Sequence, residues 1–199
     1  MIQWLGHAGI TTRGVEDVAL MLNLLAERNK HAKTVDFPDH PPKNRDLRVG
    51  VANNLQVDKE VLVMFQRAVD EIKGFGYPIN EINPPFWDVH QGFRNIKSDR
   101  ALIAQEMFQN IDVLILPTIP TTTPLIQDAD KDPQALSAKH TVFANYYGLP
   151  AVTVPSGFDI HGLPLGLEVV GKPWNENTVL QFAYQYQVAT EYGKKPPLG

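Results

Sequence analysis

Residues 148–171 read GLPAVTVPSGFDIHGLPLGLEVVG, and two short apolar runs in them, AVTVP and LGLEVV, alternate with two Gly-Leu-Pro triplets and one Pro-Ser-Gly. Valine-rich runs of this length, bounded by glycine and proline, predict buried strands joined by tight turns. Ser156 lies just after the first run and reads as a turn residue. The stretch thus predicts sheet construction.

Working outward, helical and extended patterns alternate along the chain. DVLILP, residues 112–117, is a continuous apolar run that predicts a strand buried on both faces. LRVGVAN, residues 47–53, predicts another strand, and VDKEVLVMFQRAVDEIKGFG predicts a helix capped by Asp58. Its inward stripe is Val61, Phe65, Ala68, Val69 and Ile72, and Gly74 or Gly76 stops it. YPINEI follows as a strand, so residues 47–82 form one β-α-β unit with parallel pairing. Residues 15–28 predict a helix that is apolar nearly all round, with Leu20, Met21 and Leu24 outside its main stripe. Such a helix is buried deeply or covers its second face with something else. Residues 30–46 read as a proline-punctuated loop, 84–96 as irregular, and 118–135 as loop. Further helices are predicted from a Ser98 cap to about Asn110, over 135–147, and from Asn175 to about Tyr192. The class is α/β, with a mixed, mainly parallel sheet flanked by helices in a single domain over residues 1–199.

Composition narrows the function. With 43% hydrophobic and 20% charged residues, the 199-residue chain can bury a core. A net charge of −4 with both signs scattered gives no basic stripe, so nucleic acid is not expected as a partner. The absence of cysteine excludes disulfides, thiolate zinc sites and a cysteine nucleophile. No basic-then-apolar leader opens the chain and no run approaches the roughly 18 apolar residues of a membrane span. A cytoplasmic location without membrane association is the expectation.

The chemistry-bearing motifs are few. DADKD, residues 128–132, spaces carboxylates as a calcium loop does, but Pro133 and Lys139 stand where glycine and glutamate are needed. The histidines are dispersed, so no metal site is expected; His140 and His161 flank the glycine-proline region and read as structural or surface residues. No phosphate-cradling glycine loop is present, and no cofactor is expected. Serine occurs only as Ser98, Ser137 and Ser156. A nucleophile elbow requires G-x-S-x-G, and Val154 occupies the first glycine position before Ser156.

Taken together, DVLILPTIPTTTP and FANYYGLPAVTVPSGFDIHGLPLGLEVVGKPWNENTVLQFAYQYQ resemble the C-terminal part of the amidase signature family. The resemblance is carried by Asp112, Pro117, Thr118, Asn145, Gly148, Leu149, Pro150, Pro155, Gly157, Gly162, Leu163, Pro164, Gly166, Leu167 and Glu176. LGHAGITTRGVEDVALMLNLLA resembles the stretch after the family's signature region, with Gly6, Thr11 and Gly14 departing from the usual aspartate, proline and threonine. Around residues 84–96 this chain is shorter than the family pattern.

The resemblance implies a partial amidase-signature fold and amide C–N cleavage in a parent enzyme. The family's two serines and lysine belong to a lysine-bearing segment and a glycine-serine-rich signature, and no such run occurs here. The expectation is that no catalytic residue resides in this chain, which supplies sheet and pocket wall. Thr118, Ile119 and Pro120, at the end of the Asp112 strand, are the candidate substrate-binding residues; an ordinary strand-to-loop exit is the alternative. Tyr146 and Tyr147 read as core more than as aromatic wall, and Asn145 as a residue that ties down a turn. A small amide is the expected substrate of the parent enzyme. Expected partners are a complementary N-terminal lobe or a second copy. A piece like the A subunit of a tRNA-dependent amidotransferase is an alternative, weakened by Ala138, three before Thr141, where an acidic residue would be expected. A non-catalytic scaffolding lobe is another.

Overall fold

The computed structural model describes residues 5–25, 47–87, 92–129, 131 and 137–194. The predicted loop over 30–46 and the end of the first helix lie outside these. The described elements run α1 (Val15–Leu25), β1 (Val49–Ala52), α2 (Lys59–Gly74), β2 (Ile79–Ile82), α3 (Ile96–Glu106), β3 (Val113–Pro117), α4 (Ile126–Ala129), α5 (Lys139–Tyr147), β4 (Ala151–Phe158), β5 (Pro164–Gly171) and α6 (Glu176–Thr190).

Five strands form one sheet in the order β2-β1-β3-β5-β4. β2, β1 and β3 are parallel, as the predicted β-α-β unit requires; β5 runs antiparallel to both β3 and β4. The sheet is therefore mixed, its first half built by crossovers and its second by a hairpin. The hairpin turn is fixed by Asp159, whose Oδ1 accepts from the backbone N–H groups of His161 (2.9 Å) and Leu163 (2.8 Å).

Two cores cover the two faces. On one, α1, α2 and α6 pack Val15, Ala19, Phe65, Ile72, Phe182 and Tyr186 against Val49, Val113, Leu167 and Val169. On the other, α3 and α5 pack Ile103, Phe143 and Tyr146 against Leu114, Leu116 and Val170. Strand alternation explains the split, since Leu167 and Val169 point one way and Val170 the other. The predicted α2 stripe is buried in full, joined by Met64. Helix α5 ends at Gly148, whose φ of 68° lets the N–H groups of Gly148 and Leu149 reach back to the Asn145 and Ala144 carbonyls.

Several expectations are corrected. Ser98 does not cap α3: Asn95 holds the N-cap position, without a side-chain capping bond, and the Ser98 hydroxyl lies in the first turn, donating to Asn95 O at 2.7 Å. That helix stops at Glu106, short of Asn110. Asp58 sits at the N-cap of α2 without a side-chain capping bond; its carboxylate instead accepts from Thr122 N at 3.4 Å. The 118–135 loop contains the short helix α4. AVTVP is not a buried strand: β4 is the sheet edge, with Ala151, Thr153 and Pro155 exposed. Ser156 is not in a turn but within β4, at the bulge between Pro155 and Gly157. Of the two alternatives for helix α1, deep burial is not what is seen: Val15 and Ala19 are buried and Val18 and Leu22 half-buried, while Leu20, Met21 and Leu24 of the second face, and Leu25, are exposed.

Candidate active-site wall at the end of β3

The carboxyl ends of β1, β2 and β3 open at one margin of the sheet, the margin where open α/β sheets take their ligands. Three residues predicted to bind substrate lie at this exit. Thr118 and Ile119 are half-buried and Pro120 is buried. Asp58 N donates to Pro120 O at 2.8 Å, anchoring the exit to the start of α2.

Thr118 is held by β5 and β4 together. Its N–H donates to Gly166 O at 3.0 Å, and its Oγ1 donates to Thr153 Oγ1 at 3.3 Å. The two threonines meet over Gly166, where a Cβ would lie 2.6 Å from Thr118 Oγ1 and 2.8 Å from Thr153 Cγ2. Gly166 is therefore required by a close approach of side chains above it.

Beside the two threonines sits Glu168, directly opposite Leu116 on β3 and Thr153 on β4. It is 3% exposed, its Oε2 has no hydrogen-bond partner, and burial pushes its carboxyl up to about 8. His140 is wholly buried on α5; its Nδ1 donates to Pro117 O at 2.8 Å and its ring stacks on Phe86. With Nδ1 committed as donor, Nε2 is an acceptor, and it too is unpartnered. Burial lowers the His140 pKa and keeps the ring neutral. Thr121 Oγ1, three residues past Thr118, is another buried hydroxyl without a partner. Asp159 Oδ2 in the hairpin turn and Asn177 Oδ1 and Tyr186 Oη on α6 are likewise buried without a partner, and each such atom carries a desolvation cost.

The remaining candidates separate from this group. His161 is exposed in the hairpin turn. Ser156 Oγ donates to Leu165 O at 3.2 Å, with no histidine among its hydrogen-bond partners. Tyr146 is core, stacked on Trp87, and its hydroxyl donates to Asp99 at 2.5 Å; Tyr147 packs edge-on against it, half-buried. Asn145 makes a side-chain to backbone bond as expected, its Nδ2 donating to the carbonyl of the turn residue Leu5 at 2.9 Å. Asp112 lies at the opposite end of β3 from Thr118, where its carboxylate accepts from Arg48 N, Nε and Nη2. That aspartate joins two strands and does not face the exit. No group of metal-binding side chains occurs among the described residues. None of the described helices is long and apolar enough to cross a membrane.

Sequence reasoning named Thr118, Ile119 and Pro120 and did not single out Glu168 or Thr153, which the sheet places next to Thr118. The signal was present in LGLEVV, where one carboxylate interrupts an apolar strand.

This mixed sheet with helices on both faces is an amidase-signature type of α/β fold. Residues 90–180 match the Amidase family. The chain is 30% identical to the A subunit of Glutamyl-tRNA(Gln) amidotransferase of Thermodesulfovibrio yellowstonii over 75% of its own length and 33% of that protein's. It superposes on the crystal structure of the corresponding Glutamyl-tRNA(Gln) amidotransferase subunit from Thermotoga maritima with a TM-score of 0.68 and 19% identity, covering 88% of this chain and 51% of that one. A 6-aminohexanoate cyclic dimer hydrolase complexed with substrate gives the same TM-score at 18% identity, over 93% and 55% of the two chains. The chain thus spans about a third of that curated relative and about half of these solved structures.

Proposed function

We propose that the chain is part of an amidase that cleaves a small amide at its C–N bond, with Thr118, Ile119 and Pro120 lining the substrate pocket. The observation carrying this reading is the β3 exit itself. A residue triplet predicted from sequence lies at the carboxyl end of β3 in an amidase-type sheet, beside three polar atoms without a partner, Thr121 Oγ1, His140 Nε2 and Glu168 Oε2. In this reading the nucleophile is not one of the three serines of the chain. Ser98 is tied into the first turn of α3 and Ser156 is buried on a backbone carbonyl. Exposed leucines on α1 support a further lobe or second copy packing there.

A second reading, the A subunit of a tRNA-dependent amidotransferase, is favoured by the names of the curated relative and of the Thermotoga maritima structure. The amidase reading is broader and accommodates the cyclic dimer hydrolase as well.

Intact-mass analysis after treatment with a fluorophosphonate tests the assignment. The folded chain alone should take no adduct. An adduct, lost in Ser156→Ala, would place the nucleophile within the chain and overturn the wall role.

A further inference from the structure

His140 joins separate parts of the chain where the strands end. It stands in the first turn of α5, and its Nδ1 donates to the carbonyl of Pro117, the last residue of β3. Its ring stacks on Phe86, in the segment leaving β2, at a centroid separation of 5.1 Å and an interplanar angle of 19°. Phe86 also meets Phe143 of α5 edge-on at 5.4 Å, and nearby Pro84 O accepts from Nδ2 of Asn54, just past β1, at 3.1 Å. The segments leaving β1, β2 and β3 are thereby linked through one imidazole ring. That ring is wholly buried, yet Phe86 against its face is half-buried and Pro85 beside it is exposed, so the cover lies at the surface.

We propose that His140 is an acid-sensitive latch: neutral, it holds Phe86 and the residues leaving β3 against α5; on taking a proton it frees Phe86 and loosens the exit that carries Thr118. Nδ1 already carries a proton, so the second enters at Nε2, which is enclosed and has no acceptor. A charged N–H in that position requires water, and displacing the half-buried Phe86 admits it. Burial is the main force keeping the ring neutral below its ordinary 6.5; the Pro117 bond favours the charged form, and Lys139 on the same helix opposes it. Glu168, on the sheet face that α5 covers, is itself kept neutral by burial and offers no countercharge. The latch therefore contributes above 6.5 and is lost as pH falls through the lowered value.

Nuclear magnetic resonance on the full chain tests this, with the His140 ring and the backbone amides of Phe86, Trp87, Thr118 and Ile119 followed from about pH 8 to about pH 5. The ring should titrate below 6.5, and the four amides should shift with the same midpoint. His140→Gln, which keeps an N–H donor for Pro117 O but cannot ionise, should leave the four amides in place across the range. Phe86→Leu thins the cover at a half-buried position and should raise the midpoint toward 6.5, a result that stands whether or not the glutamine variant folds. Amides that stay in place while the ring titrates, shifts that persist in His140→Gln, a ring that stays neutral until the chain unfolds, or a Phe86→Leu midpoint equal to that of wild type would each overturn the proposal. A fluorophosphonate adduct would bear on the wall role and leave the latch untouched.

Discussion

Thr118, the first residue past β3, and Thr153 on β4 hydrogen-bond across β5, because that strand carries Gly166 at the point of crossing. Three strands are thereby locked at the β3 exit by one missing side chain. The glycine belongs to the Gly-Leu-Pro-x-Gly pattern, and its role is to let two hydroxyls meet.

Gly166→Ala should therefore separate the threonines. The added methyl meets Thr118 Oγ1 at 2.6 Å, well inside contact distance. A loss of about 1–3 kcal/mol is expected from overpacking, read as a lower urea midpoint with an unchanged slope. Thr118→Ser, which keeps the hydroxyl, should leave stability within about 1 kcal/mol of wild type.

Glu168 predicts a stability curve that falls with pH. Its folded-state pKa, about 8, lies above the ordinary 4.5, so the neutral form is favoured by folding. The contribution is fully present below 4.5 and is lost as pH rises through about 8. Thermal melts across that window should show a declining Tm in wild type and a flatter profile in Glu168→Gln. Parallel profiles for the two proteins would show that Glu168 ionises as freely in the folded chain as in the unfolded one.

Asp112 predicts the opposite slope in acid. Arg48 hydrogen bonds hold its carboxyl below the usual range, so its contribution is present above the ordinary 3.8 and disappears as pH falls through the lowered value. Asp112→Asn should destabilise at neutral pH and narrow the gap to wild type in strong acid, as followed by circular dichroism.

Helix α1 predicts association without a stability effect. Leu24 is 71% exposed and Leu20 58% exposed, so Leu20→Glu with Leu24→Glu should leave the urea midpoint within about 0.5 kcal/mol of wild type. If a second copy packs on this face, the same double variant elutes as a smaller species in size-exclusion chromatography. Identical elution of the two proteins would exclude self-association through α1.

Elements with a strong period were legible in the sequence. The α2 stripe and the β3 run emerged as predicted because each has one burial pattern that burial alone can satisfy. The β3 exit was legible for the same reason, since the strand end is marked by Pro117 and Thr118. AVTVP misled because a valine-rich run reads alike at the centre of a sheet and at its edge, and only the hairpin with β5 decides which. Ser98 misled because its hydroxyl bonds backbone three residues away whether it caps a helix or sits in the first turn. Glu168 and Thr153 escaped notice because their pairing is long-range, and spacing along the chain carries no record of it.

The edge position of β4 bears on how the molecule behaves in concentrated solution. A strand arriving from another chain would meet Pro155, which has no N–H to offer, and then the bulge between Pro155 and Gly157. Regular pairing can extend only along Ala151–Val154. At the opposite margin β2 is four residues long, with Asn80 and Glu81 exposed along it. Both margins thus discourage the sheet from growing into a fibril, and the molecule can leave an edge open without recruiting copies of itself there.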